Sequence, residues 1–486
     1  MKKYVQLATL SLSLGVVAML LSSCQPNVSA KAAEGPINSN FSDLAPTPPM
    51  GWNSFDAYDC RINEAEFKAN VDVMASKLLP YGWDYAVLDY IWWHPEPGNW
   101  NTPRRKGHPN IRYTEDGAPL HPEYITMDEH GILQPSVDRF PSAANGQGLK
   151  PIADYVHSKG MKFGLHIMRG IHRKAAHDGS LISGTSFSAA GIAEPTDTCQ
   201  WCNHMFGVDH EAPGAQEYYH AIFRQYAAWE VDYIKADDMI FPVYHEKELE
   251  MIRKAIDACG RPMVLSLSPG EAPLSRASHL IANANLWRIS ADFWDDWEKL
   301  RHNFDLLNAW SGHTKPGHWP DADMLPIGRL SLDDRPHGPE RMSHFTWPEH
   351  YTLMTLWSIA RSPLMMGGDL LSTPDSVMAL LQNPEVIAVN QSSSDNHQVY
   401  LRDHKEAAWA AKDPATGDTY LALFNLSDQA TKIDFELELE YLRATYKVRD
   451  LWNRQDISNA TTNRLVVELP PHGAGLYRLT ATDQNP

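Results

Sequence analysis

Two acidic segments carry the chemistry available to this chain. In "VDYIKADDM", residues 231–239, Lys235, Asp237 and Asp238 close an apolar run, and in "NLWRISADF", residues 285–293, Arg288 and Asp292 do the same. Charges in such runs are costly unless paired or used. Strand side chains alternate between faces. Tyr233, Lys235 and Asp237 therefore share one face, opposite Ile234 and Ala236. Likewise Arg288, Ser290 and Asp292 oppose Trp287, Ile289 and Ala291. Asp238 falls toward the outer layer or the following loop, where it is expected to act as a cap. Parity also places Ser266 and Ser268 opposite Met263, Leu265 and Leu267, and His166 opposite Phe163 and Leu165. Asp89 ends "YAVLD", Tyr90 has the opposite parity, and Asp323 heads "DMLPIG".

These residues need a scaffold that brings strand ends together. Eight short apolar runs supply one: 49–55, 85–93, 161–168, 231–239, 262–269, 285–293, 323–328 and 362–370. Amphipathic stretches alternate with them, among them 63–78, 214–230, 296–310 and 348–361. That alternation predicts an α/β fold, a (β/α)8 TIM barrel, with the polar strand faces in the lumen and the site at the strands' C-terminal ends. An open doubly wound sheet would call for a glycine-rich phosphate loop after the first strand, and none is present. Beyond residue 390 the pattern changes to short alternating strands, predicting a C-terminal antiparallel β-sandwich. The expected organisation is a signal segment over 1–23, a tether over 24–47, a catalytic barrel over 48–388 and the sandwich over 389–486.

Across the barrel mouth, parity gathers Asp89, His166, Lys235, Asp237, Ser268, Arg288, Asp292 and Asp323. Two facing carboxylates suit glycoside hydrolysis. In a retaining mechanism they stand roughly 5–5.5 Å apart, one as nucleophile and the other as acid and then base. The Lys235 ammonium should hold Asp237 ionised, which suits the nucleophile. Asp292 must be protonated to assist the leaving group, which a negative neighbour and partial burial would favour. Arg288 would oppose that, so it is expected to be shared with the substrate or with Asp237. No metal or cofactor is required.

Composition narrows the partners. A 486-residue chain with 43% hydrophobic and 21% charged residues folds around a sizeable core. Its net charge of −18, with no basic run, argues against nucleic acid. "MKK", a long apolar stretch and "LSSC" resemble a lipoprotein signal with Cys24 as the acylated residue. A lipid there would tether the protein to a membrane without a spanning helix, at the periplasmic or cell-envelope surface. Export makes a disulfide among Cys60, Cys199, Cys202 and Cys259 an option. A zinc set of Cys199, Cys202, His204 and His210 can be drawn but is the less economical reading.

The motifs resemble those of glycoside hydrolase family 27, the α-galactosidase or melibiase family, over about residues 46–480. "PTPPMGWNSF" resembles its opening signature, "YIKAD" and "RISAD" its two catalytic motifs, "PDADMLPIG" its strand-seven motif, and "PPHGAGLYRL" its terminal sandwich. The resemblance implies Asp237 as nucleophile and Asp292 as acid/base. Sugar contacts are expected from Asp89, Trp92, His166, Lys235, Ser268, Arg288 and Asp323. One departure bears on the sugar. The family's strand-two motif has two adjacent aspartates and a cysteine, whereas this chain reads Asp89-Tyr90-Ile91-Trp92. The expected activity is retaining exo-hydrolysis releasing terminal α-D-galactose from oligo- or polysaccharides. β-L-Arabinopyranosidase, isomaltose-releasing α-glucan hydrolase and a non-catalytic sugar-binding lipoprotein are the alternatives.

Overall fold

The computed structural model describes residues 40–97, 114–120, 122, 125–332, 339–437, 445–457 and 464–482. The signal segment, Cys24 and the tether up to residue 39 lie outside them. Eight strands form one parallel sheet: β1 (Met50–Asn53), β2 (Tyr85–Leu88), β3 (Lys162–Met168), β4 (Tyr233–Asp237), β5 (Val264–Leu267), β6 (Leu286–Arg288), β7 (Trp319–Asp321) and β8 (Leu364–Met366). Their order is β7-β6-β5-β4-β3-β2-β1-β8. A parallel bridge between Leu325, just past β7, and Met366 of β8 draws the two ends together. The seventh strand is thus 319–321 rather than 323–328. The apolar residues of 323–328 serve barrel closure instead, with Leu325 N–H donating to Met365 O at 2.7 Å.

The predicted helices form as α1 (Glu64–Lys77), α2 (Ala215–Ala228), α3 (Trp297–Trp310) and α4 (Trp347–Ile359). Three have side chains that satisfy their free N-terminal N–H groups. Asn63 and Glu66 close a capping box on α1, and Thr346 and Glu349 one on α4. Asp296 accepts from Lys299 N at the start of α3.

Alternation sorts the strand residues as the parity argument requires. Ile234, Ala236, Leu265, Leu267, Trp287 and Ile289 belong to the core beneath the helices. Tyr85, Val87, Tyr233, Val264, Leu286, Trp319 and Met365 form a separate apolar cluster. That cluster fills the lumen at the strands' N-terminal ends, so only the C-terminal end is left for polar chemistry. Strands β1 and β2 are so close that a Cβ at position 51 would lie 2.1 Å from Tyr85 O, which makes Gly51 obligatory there.

A three-stranded antiparallel sheet, Ile171–His172, Ala193–Thr198 and Met205–Val208, is inserted between β3 and α2. The C-terminal unit has two sheets, β9 (Ser394–Arg402), β10 (Glu406–Lys412), β11 (Thr419–Asn425), β16 (Ala474–Ala481), β13 (Tyr446–Asp450) and β14 (Gln455–Ile457) in one, and β12 (Thr431–Glu436) with β15 (Arg464–Leu469) in the other. It docks on the barrel through specific contacts. The His472 ring stacks on Trp297 at 3.8 Å and pairs with Glu349 at 2.7 Å, and Trp452 Nε1–H donates to Thr355. Among the described residues no helix is long and apolar enough to cross a membrane.

Candidate active site

A cavity of about 560 Å³ opens at the C-terminal ends of the barrel strands. Asp89, His166, Lys235, Asp237, Ser268, Arg288, Asp292 and Asp323 all line it. Six different strands or strand ends deliver them, which is how a barrel concentrates polar groups that are distant in sequence.

Asp237 ends β4. Its Oδ1 accepts from Ser268 Oγ and from Asp238 N–H, each at 3.0 Å, and His166 Nε2 lies 3.4 Å from Oδ2. Burial alone would raise its pKa, but the His166 hydrogen bond, the charges of His166 and Lys235, and the Asp238 N–H hold it below the ordinary value. Lys235 bonds elsewhere than the sequence suggested: its Nζ donates to Asp89 Oδ2 at 2.9 Å. Asp89 Oδ2 also accepts from Asn53 at 2.7 Å. Burial opposes ionisation of Asp89, but Lys235 and His166 bring its pKa to about 2. Burial likewise opposes the Lys235 charge, and Asp89, Asp323 and Asp237 more than offset it.

Arg288 lines the cavity but is not paired with Asp237. It spans Asp323 at 2.8 Å and Asp292 at 3.2 Å, with a further bond to Ser290 O. Asp323 sits past β7 at φ +84, and its Oδ2 also accepts Phe293 N–H at 2.8 Å. Burial, ahead of the pull of Arg288, raises the Asp323 pKa. The partial burial expected of Asp292 is not found, for its side chain is 59% exposed at the cavity rim. The reason is local: β6 ends at Arg288, so Asp292 stands on the loop beyond it. In chemical terms the cavity offers a buffered carboxylate on one strand and an accessible carboxyl on another. That is the division of labour glycoside cleavage needs.

Trp92 is corrected. It is fully buried, donates its Nε1–H to His166 O at 2.9 Å and packs on Trp229, so it supports the wall without facing the cavity. Tyr90 is corrected in the opposite sense. Strand β2 stops at Leu88, parity fails beyond it, and Tyr90 lines the cavity with its ring edge-on to His166 at 5.3 Å. Several lining residues escaped the strand-end argument: Phe55, Asp56, Trp201, Phe241, Trp294, Lys299 and Met324 among them. Phe55 and Asp56 belong to a one-turn helix, Lys299 to the first turn of α3 and the others to loops, where no strand periodicity points inward.

Among the described residues no disulfide forms, and Cys60, Cys199, Cys202 and Cys259 are all buried. The sketched zinc set does not assemble either, since His210 is exposed while Cys199, Cys202 and His204 are buried.

Asp238 is more than a loop cap. It is buried at φ +61 and bonds Arg169, whose guanidinium is itself 2% exposed. Arg169 also holds Asp197 at 2.8 Å through both terminal nitrogens and Glu248 at 2.5 Å. One cation thereby ties the segment after the Asp237 strand to the inserted sheet that leads to Trp201. Arg169→Met leaves the buried Asp238 and Glu248 without their cation and is expected to cost about 3–5 kcal/mol, read as a lowered urea midpoint. Burial first, with Asp237 and Asp197 adding and Arg169 opposing, pushes the Asp238 pKa up to about 7. The folded chain thus holds this proton more tightly than the unfolded chain, whose value is about 3.9. The stabilisation is complete below about pH 4 and is lost as pH rises through about 7. Thermal unfolding should therefore shift downward between pH 5 and pH 8, and Asp238→Asn should flatten that slope.

Fold and site together define a barrel glycosidase with an appended β-sandwich. Residues 206–392 match the family described as "Alpha galactosidase A", and residues 404–479 its "C-terminal beta sandwich domain". A solved GH27 β-L-arabinopyranosidase from Geobacillus stearothermophilus is 43% identical, with 92% of this chain and 99% of that one covered and a TM-score of 0.83. Alpha-galactosidase A of Cellvibrio japonicus is 26% identical over 97% of this chain and 98% of its own length. Alpha-N-acetylgalactosaminidase of Gallus gallus is 24% identical over 90% and 94%. The chain belongs to glycoside hydrolase family 27 and is a glycosidase.

Proposed function

We propose that the protein is a retaining exo-glycosidase that removes terminal β-L-arabinopyranosyl units, with terminal α-D-galactosyl units as the second reading. Asp237 is the nucleophile and Asp292 the acid and then base of a double displacement. Asp89, Lys235, Arg288 and Asp323 hold the glycone. The observation that carries the choice of sugar is Tyr90. An α-D-galactopyranosyl and a β-L-arabinopyranosyl ring share stereochemistry and differ in the exocyclic hydroxymethyl group. Where the family resemblance implies a second carboxylate to grip such a group, this chain packs a buried phenol ring against His166. The 43% identity to an enzyme described as a β-L-arabinopyranosidase supports the same choice. The 26% identity to α-galactosidases supports the second reading.

Crowding an extra group into a packed wall costs typically 1–3 kcal/mol, or roughly ten- to hundredfold in kcat/KM. Purified protein assayed on paired 4-nitrophenyl glycosides should therefore favour the β-L-arabinopyranoside by about that factor. A preference for the α-D-galactoside would reverse the assignment, and hydrolysis of neither would leave a sugar-binding protein. The apolar N-terminal segment and the lipobox-like "LSSC" support export and anchoring through Cys24 at the cell envelope.

A further inference from the structure

The carboxyl group of Asp56 has no structural reason to be where it is. The residue lies in the one-turn helix Phe55–Tyr58 after β1, is 2% exposed and lines the cavity. Its Oδ2 is buried without a hydrogen-bond partner. Its backbone is well used, with Ser331 N–H and Leu332 N–H bonding the carbonyls of Asp56 and Ala57, but that would serve any residue type. The side chain is accommodated only because position 367, after β8, is glycine: a Cβ there would lie 1.9 Å from Asp56 Oδ2. An unpaired buried polar group is a standing cost. Such groups persist where a ligand supplies the missing partner.

We infer that Asp56 is an additional sugar-binding residue of this cavity, contacting a hydroxyl group of the bound glycone through its carboxyl group. This rests on reading the cavity as the glycone site. The charged groups facing Asp56 decide the sense of the bond. Burial and the nearby Asp323, Asp292 and Asp89 carboxylates outweigh Lys235 and keep Asp56 protonated well above the usual carboxylate range. A neutral carboxyl donates one hydrogen bond and accepts another. Asp56 thus donates to a sugar oxygen, whereas the ionised Asp89 carboxylate can only accept. One ring hydroxyl is then read as acceptor and another as donor, and an epimer that moves either loses its partner.

The test compares wild type, Asp56→Asn and Asp56→Ala on 4-nitrophenyl β-L-arabinopyranoside and on its 2-, 3- and 4-deoxy analogues. Asparagine keeps a donor and the shape, so Asp56→Asn should stay within about threefold of wild type in kcat/KM. Asp56→Ala should fall roughly ten- to hundredfold. Removing the contacted hydroxyl should cost wild type and Asp56→Asn about tenfold more than it costs Asp56→Ala, a coupling that a purely structural role would not produce. If Asp56→Ala does not fold, Asp56→Ser enters the same cycle. Additive losses at all three deoxy positions would overturn the contact. A loss in Asp56→Asn equal to that in Asp56→Ala would overturn the donor assignment. A wild type active on the parent sugar isolates these failures from that of the site itself, and a wild type inactive on both the arabinoside and the galactoside overturns both.

Discussion

Asp237→Ala is expected to lose turnover by about 10⁴-fold or more while the chain keeps its fold. The argument is electrostatic. Ser268, the Asp238 N–H and His166 surround this carboxylate with donors, and Lys235 sits one alternate position along the same strand. That environment keeps Asp237 ionised despite burial, and an ionised, oriented carboxylate is what attacks an anomeric carbon. With the side chain gone, the surrounding donors remain arranged about a small vacancy. Azide or formate should enter it and restore part of the rate on an activated aryl glycoside. Azide rescue in place of the missing nucleophile gives a glycosyl azide of inverted configuration, whereas wild type gives a first-formed sugar of retained configuration by NMR. Unimpaired turnover in the variant, or inversion in wild type, would remove Asp237 from the role.

Asp292→Ala should behave differently according to the leaving group. General acid assistance is worth typically 10²–10⁴-fold, and a poor leaving group needs all of it. A glycoside with an alkyl or sugar aglycone should therefore lose about that factor. A dinitrophenyl glycoside, whose phenolate leaves unaided, should be cleaved by the first step almost as fast as in wild type and should stall at the second, where Asp292 would act as base. The geometry sets this split. Asp292 is accessible at the rim, and Arg288 divides its Nη2 between Asp292 at 3.2 Å and Asp323 at 2.8 Å. Stopped-flow release of the phenol would show a burst followed by slow turnover. Equal losses on both kinds of substrate would argue that Asp292 only shapes the pocket.

Much of this was present in the linear sequence. Period-two alternation in β4, β5 and β6 assigned Lys235, Asp237, Ser268 and Arg288 to the lumen, because a strand buried on both faces leaves a charged side chain only the polar end of the barrel. Alternation of strands with amphipathic helices determined the barrel, and the shorter alternating strands after residue 390 determined the antiparallel unit. Parity is a local rule, and it lapsed where the strands end. Tyr90, one position past the Asp89 that β2 delivers, turned into the cavity. Asp292, four past Arg288, stood exposed at the rim. Trp92 turned into the wall.

Tertiary structure alone decided which charges meet. Lys235 pairs with Asp89 across the intervening β3, and Arg288 with Asp323 beyond the end of neighbouring β7, because barrel closure and stagger bring these positions level, and strand sequences carry no record of that stagger. Arg169 collects carboxylates from three separate segments for the same reason. The Asp56 carboxyl is accommodated only because Gly367, far along the chain, leaves room for its Oδ2. Alternation within a strand is fixed by backbone geometry and can be read from neighbours, whereas charge pairing depends on distances across the lumen that exist only once the sheet has closed.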